Sequence, residues 1–444
     1  MNKRAKVNAK PVALPPELIA AIVRYIPDAD NVIHILTALE PTKSLGDLSQ
    51  LLDFLLKAGT EKRKFWPCLR ITSDLVYEEA VLKAVVNYYN IIEVATTRDI
   101  SWLQVEPTTA VHLTAFPACD GKEDSDAWYS KLIRLPITHI DWYSIDDEVR
   151  VALLDVLPRL PYLTSMAILY EETLGPFLEF LSTSTLTELT LGQSLFVDDD
   201  NDALERTDPH DAKLNHLTKW LQLQPVRSLR FCTDDLVWCS KTSAQAFLDT
   251  LAQSTTLTFL STRRFSIWDL RVRLPRSLEV LSMDEVDIEA PEYASKFEDM
   301  LHNSNLKELV LEEPEISEEG FQRFLERLPP SLKRLTLRQA GLTNRNCKIL
   351  AKCLPAMAIV KLDLSRNLFR NKGVRFLAKV LDKTSIEELC LDDNNLTEAA
   401  GVALLEPAYA KLGLTISLKE CSMEDLEKNR VAALARRRGV HVSL

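Results

Sequence analysis

The residues of this 444-residue chain best suited to covalent or metal chemistry are seven histidines and eight cysteines, and their spacing assembles no reactive set. His34, His112, His139, His210, His216, His302 and His441 are scattered, with no His-Glu-x-x-His pair and no Gly-x-Ser-x-Gly turn to expose a nucleophile. The cysteines, at 68, 119, 232, 239, 347, 353, 390 and 421, contain no Cys-x-x-Cys, so neither a zinc site nor a disulfide framework is indicated. They read as small apolar residues of a reducing compartment. Only 11 glycines occur and none forms Gly-x-Gly, which removes the dinucleotide and phosphate-loop fingerprints. The run from Val197 to Asp202, with Glu205, Asp208 and Asp211, is dense enough in carboxylates to suggest calcium. It lacks the glycine and the closing glutamate of a calcium loop, so residues 198–211 are expected to be a solvated, disordered loop. No catalytic residue, cofactor or metal ligand is expected.

What remains is the chemistry of recognition, carried by charges in regular columns. Glu308, Glu312 and Glu313, with Asp284 and Glu285 before them, make an acidic strip. Arg334, Arg338, Lys361 and Arg366, with Asp363 among them, make a basic one, and Glu388, Asp392 and Asp393 return to acid. Arg263 and Arg264, and further back His139, Asp141, Tyr143, Leu169 and Tyr170, occupy equivalent places. Alternating stripes of this kind suit a protein ligand with an acidic centre and basic shoulders.

Columns need a repeat to hold them. Leu332-x-x-Leu335-x-Leu337, Ile359-x-x-Leu362-x-Leu364 and Ile386-x-x-Leu389-x-Leu391 follow at offsets of 27 residues, the last two continuing to Asn367 and Asn394. Between them, Phe321, Phe324, Leu325, Leu328, then Cys347, Leu350, Ala351, Leu354, then Val374, Leu377, Ala378, Leu381, then Gly401, Leu404, Leu405, Ala408 each trace one helix face. Each unit is thus a strand followed by a helix, and neither buries its apolar face unless like units stack. This pattern resembles the leucine-rich repeat, and the unit length resembles the ribonuclease-inhibitor-like class. The resemblance implies an α/β horseshoe solenoid with a parallel inner sheet of about eleven to thirteen strands near 4.8 Å spacing and helices outside. It also implies that ligands bind on the concave face and that the protein is no enzyme.

Strand starts, aligned to the first apolar position, are expected at Trp66, Ile92, Ala110, Ile137, Leu163, Leu186, Val226, Leu257, Leu278, Leu306, Leu332, Ile359 and Ile386. Four regions follow: a disordered basic arm (1–11), a helical segment (12–64), the solenoid (65–412) and a C-terminal cap (413–444). In the second, Leu14, Pro15, Leu18, Ile22 and Ile26 form a proline-initiated apolar helix, and Phe65, Trp66 and Leu69 close the segment. It resembles an F-box, the helical module that docks substrate receptors onto the linker subunit of a cullin ubiquitin ligase, although His34–Pro41 departs from that pattern. The other reading is a cap over the open solenoid edge. Three functions therefore compete: a ubiquitin-ligase substrate receptor, a scaffold or inhibitor, and a GTPase-activating repeat protein, which this chain fits least for want of an acidic tail.

The net charge of −11 excludes a general affinity for nucleic acid. No apolar run reaches membrane-spanning length and no apolar signal core is present, so a cytoplasmic or nuclear monomer is expected.

Overall fold

A computed structural model describes residues 14–42, 45–72, 79–95, 99–116, 122–142, 147–168, 175–192, 208–265, 267, 269–302, 304–406 and 413–444. The basic arm, Tyr143, Leu169, Tyr170, Ala408 and positions 193–207 of the acidic stretch lie outside them. Two compact units divide at Glu171/Glu172.

The first unit carries five parallel strands in chain order, β1 (Cys68–Thr72), β2 (Ile91–Ala95), β3 (Ala110–Ala115), β4 (Ile137–Trp142) and β5 (Ser165–Ile168). The second carries ten, β6 (Glu188–Leu191), β7 (Ser228–Cys232), β8 (Phe259–Phe265), β9 (Val280–Val286), β10 (Glu308–Glu312), β11 (Arg334–Arg338), β12 (Lys361–Asp363), β13 (Glu388–Cys390), β14 (Thr415–Ser417) and β15 (His441–Ser443). A helix follows nearly every strand, and each unit is a leucine-rich repeat stack in which strand order equals sequence order. A strand is present near each of the thirteen expected starts and in both C-terminal segments, which makes fifteen among the described residues rather than eleven to thirteen. Ala110, however, stands level with Ile91 at the third repeat position, and Ile92, level with Leu69, is the fourth rather than the first. The first position there belongs to Tyr89, which is buried beside Trp66 at 5.2 Å between rings.

Alternation along each strand sorts the side chains. Leu335 and Leu337 are buried against the helices, whereas Arg334, Thr336 and Arg338 lie on the open face. The helix faces read from the sequence supply the other half of the core: Phe321, Cys347, Leu350, Val374, Leu377, Gly401 and Leu404 are all buried. Burial pushes the Cys347 thiol up to about 12, which keeps it protonated and inert. At Gly401 the helix Glu398–Leu404 approaches the helix Asp425–Arg438 so closely that a Cβ would lie 2.8 Å from Val431. Asp208, Pro209, His210 and Asp211, expected in the acidic loop, instead begin the helix Asp208–Leu223. Proline and carboxylates both favour a first helical turn.

The turn after the strand is held by buried amides. Asn367 accepts from the N–H of Ala340 and of Leu342, each at 3.0 Å, and donates to the carbonyls of Leu337 (2.8 Å), Leu364 (2.9 Å) and Ser365 (3.0 Å). One repeat on, Asn394 accepts from the Asn367 N–H at 3.0 Å and donates to Leu364, Leu391 and Asp392. In the following repeat Cys421 takes this place, its thiol on the Leu391 carbonyl at 3.5 Å. Each amide thereby satisfies backbone groups of its own and neighbouring turns that would otherwise be buried without partners. Asn394→Ala should cost about 3 kcal/mol, because several buried groups lose their partner at once. Asn395→Ala, one residue away and exposed, should stay within roughly 0.5 kcal/mol. Urea unfolding midpoints separate the two, and equal losses would refute the ladder.

Candidate protein-recognition surface

In-register stacking lines up the open-face residues of the second unit. The third strand position reads Val280, Glu308, Arg334, Lys361, Glu388, Thr415 across β9 to β14, and the seventh reads Asp284, Glu312, Arg338 across β9 to β11. All ten residues expected to meet a partner fall on this surface or on the turns at its edge, but the four basic ones are not a free patch. Arg334 Nε lies 2.6 Å from Glu308, Lys361 Nζ 2.7 Å from Glu388, and Arg366 Nε 3.4 Å from Asp393. Arg338 lies between Asp363 at 3.0 Å and Glu312 at 3.6 Å. The cations retain solvent access, with Arg334 48% and Lys361 45% exposed at the side chain. Asp363 is further held by the Ser365 N–H at 2.9 Å, and Asp392 accepts from the Lys419 N–H at 2.8 Å.

Two seams in this lattice oppose like charges. Arg334 and Lys361 are register partners, and each reaches away from the other to its own carboxylate. Asp284 and Glu312 are likewise register partners, with Glu285 and Glu313 on the adjoining turns. Burial raises the Asp284 carboxyl above its ordinary value, Arg263 opposes this, and Glu285, Glu312 and Glu313 add to it. Like charges directly opposite are unfavourable on a sheet.

The turns at the edge share one geometry. Arg264, Glu285, Glu313, Gln339, Arg366, Asp393 and Glu420 all have φ between 50° and 58°, the left-handed region, and all occupy the eighth repeat position. The N–H groups of Glu313, Gln339, Arg366 and Asp393 reach the carbonyls of Arg338, Ser365, Asp392 and Lys419 at 2.9–3.1 Å. The turn keeps its bond to the next repeat while each non-glycine side chain absorbs about 1 kcal/mol or more of strain. A row of largely charged side chains thus runs along the rim.

The first unit's open face carries a different row. Arg70, Glu93, His112, His139 and Ser165 stand side by side on β1 to β5. Arg70 Nε meets Glu93 at 2.5 Å, the two imidazoles lie 5.2 Å apart, and His139 is held by Ser165 Oγ and Asp141 Oδ1, each at 2.8 Å. Ser, His and Asp are thus in contact without forming an acyl-transfer centre. Ser165 lies on a strand flat in the sheet, not on a turn that would aim free N–H groups at an oxyanion. Among the described residues, no group of His, Cys, Asp and Glu forms a metal site.

In the amino-terminal segment, the helices Pro16–Val23, Ala29–Leu39 and Leu48–Ala58 pack through Ile19, Val23, Val32, Leu36, Leu51 and Phe54. Phe54 meets Phe65 edge-on at 5.5 Å, and Trp66 Nε1 donates to the Ile26 carbonyl at 2.7 Å, which fastens these helices to the first repeat. The core side of the first helix is therefore Ile19 and Val23. Leu14, Pro15, Leu18 and Ile22 face solvent, Leu18 and Ile22 each 47% exposed, Tyr25 is 84% exposed, and Ile26 is half-buried.

No protein-family model and no curated protein matches the chain. Among solved structures, a Bacteroides fragilis protein is similar at 14% identity and a TM-score of 0.35, over 65% of this chain and 76% of that one. An internalin from Listeria monocytogenes is similar at 14% identity and a TM-score of 0.34, over 89% of this chain and 94% of that one.

Two titrations follow from these geometries. His112 has a lowered pKa, first because it is buried and then because His139 adjoins it, with Glu93 and Asp141 opposing. A histidine depressed in the folded state contributes stability above its unfolded value of about 6.5, and that contribution is lost as pH falls through the lower folded value. Denaturation between pH 7 and 5 should therefore show His112→Gln to be less acid-sensitive than the natural chain, and parallel pH profiles would refute this. Asp284, whose folded pKa is raised, contributes stability below the unfolded value that is lost as pH rises. Asp284→Asn should raise Tm at pH 7 and not at pH 3, whereas a lower Tm at pH 7 would show that the Arg263 pairing outweighs the like-charge seam.

Proposed function

We propose that this chain is a non-enzymatic protein-interaction module whose open sheet face in the second unit binds a protein ligand. The observation that carries the reading is the Arg334/Lys361 seam. Two exposed cations in register, each drawn to an outer carboxylate, leave a place where a partner's carboxylate meets both. The opposed carboxylates Asp284 and Glu312 receive a partner's cation in the same way, so the ligand has an acidic centre and a basic shoulder spaced by the strands between. Electrostatic complementarity of this form sets register and association rate more than raw affinity. Free thiols at Cys68, Cys232, Cys239, Cys347, Cys353, Cys390 and Cys421 favour a reducing, cytoplasmic or nuclear setting.

The finer reading is a substrate receptor that docks onto a cullin-ligase linker through its first helix. Exposure of Leu14, Leu18, Ile22 and Tyr25 supports it, because a helix serving only as a cap would have no use for a second apolar stripe in water. Ile19 and Val23 meanwhile serve the packing that a cap requires, so the two roles are divided between two faces of one helix.

Each reading has its own test. Replacing Arg334 and Lys361 together by Gln should slow association with the bound protein at low salt, with the deficit shrinking as salt screens the field. Unchanged association would move the site off this seam. Leu18→Ala with Ile22→Ala should abolish recovery of the ligase linker and leave the melting curve in place, since neither side chain is in the core. A natural chain that recovers no linker from extract removes the receptor reading and leaves the interaction module standing.

A further inference from the structure

A groove of about 980 Å³ lies on the helix side of the second unit, between the helices Lys241–Gln253 and Pro291–His302, and the segment Asp269–Arg276 forms one wall. Arg271, Val272, Arg273 and Leu274 alternate along this segment. Val272 and Leu274 line a small apolar cavity with Leu248, Leu251 and Met300, so Arg271 and Arg273 are turned to solvent, as is Arg276. The segment is tied at both ends. Gln245 accepts from the Arg271 N–H and donates to the Arg271 carbonyl, each at 3.0 Å, and Asp249 takes the Arg271 guanidinium at 3.5 Å. At the far end Asn305 donates to the Arg276 carbonyl at 3.1 Å, and Ser277 Oγ to the Leu257 carbonyl at 2.8 Å.

Arg271 is thus consumed by the brace, and Asp269 faces Lys241 at 3.8 Å. Arg273 and Arg276, among the described residues, have no carboxylate partner, in a chain with 64 acidic and 53 basic side chains. We infer that this groove holds an extended acidic segment of a partner protein, with carboxylate or phosphoryl groups paired to Arg273 and Arg276. Guanidinium forks bind such groups through two parallel hydrogen bonds, and a wall already held in place loses little freedom on binding. The two arginines are three residues apart, at most about 10 Å of chain, a span that acidic side chains two or three residues apart on a peptide lying beside it can bridge. A nucleic acid fits less well, because the groove's lining carries no aromatic ring on which a base would stack. The groove lies on the helix side and so stands apart from the open-face reading.

Fluorescence anisotropy at low salt with a short labelled peptide of alternating glutamate and serine tests this, with a phosphoserine version as a second arm and a lysine–serine peptide as control. The natural chain should bind both acidic peptides more tightly than the lysine one, for which only the Asp284/Glu312 seam offers a place. Arg273→Glu with Arg276→Glu should weaken binding by roughly tenfold or more, as expected when two charge-assisted partners reverse sign. Circular dichroism should show that variant folded, and Lys379→Glu, at an exposed position outside both the groove and the open face, should leave peptide binding unchanged. Absence of binding by the natural chain, equal binding by the Arg273/Arg276 variant, or equal binding of the lysine peptide would each overturn the assignment. If only the Arg334/Lys361 variant lost the peptide, the acidic ligand would belong to the open face.

Discussion

In-register parallel pairing is the constraint on which everything else rests. From β9 to β14, leucine-type residues at the fourth repeat position stand level, Leu281, Leu309, Leu335, Leu362, Leu389 and Ile416, and that alignment puts every open-face side chain beside its counterpart one strand away. At a strand spacing of about 4.8 Å, no charge on this face is independent of its two neighbours. The lattice of arginines and carboxylates is therefore a property of the columns. Exposed pairs of this kind contribute little to stability, each typically under about 1 kcal/mol. Their effect is to hold charge in a fixed order along the face.

The same pairing limits the chemistry available. A strand lying in a sheet spends its amides on neighbours, so Ser165, His139 and Asp141 meet without a cradle for a developing negative charge. Strain is placed elsewhere, in the left-handed residues of the eighth position, where a charged side chain is carried on a backbone geometry that glycine adopts more easily. Glu313 and Glu420 are exposed there with no cation drawn up to them among the described residues. A rim built this way favours display over rigidity.

Legibility in the sequence tracked regularity. The repeats from Leu306 onward were readable because strand and helix periodicities run at nearly one offset, and the second C-terminal strand continues that register through Val442 beside Ile416. The early repeats were harder because Ile92 and Ala110 stand out of phase with their look-alikes, and because the register slips between Val94 and Ala95 and again between Val111 and His112. The helix Lys122–Leu132, sequence KEDSDAWYSKL, hides its core residues Trp128 and Tyr129 among polar neighbours. For the candidate site, residue types and columns are legible but pairing is not: spacing makes Arg334, Arg338, Lys361 and Arg366 one basic patch, whereas Glu308, Asp363 with Glu312, Glu388 and Asp393 each reach one of them. In the first helix, Leu18/Ile22 and Ile19/Val23 share the same four-residue spacing, and only packing decides which pair faces the core.

The central proposal is that the open face of the second unit meets a protein partner. Photo-crosslinking from a benzoylphenylalanine placed at Thr336, mid-strand on β11 between Val310 and Asp363, against the same probe at the exposed helix-side Lys379, tests this most directly. The account predicts a discrete protein adduct from Thr336 that weakens as salt rises, and none from Lys379. An adduct from Lys379 with none from Thr336 would contradict it.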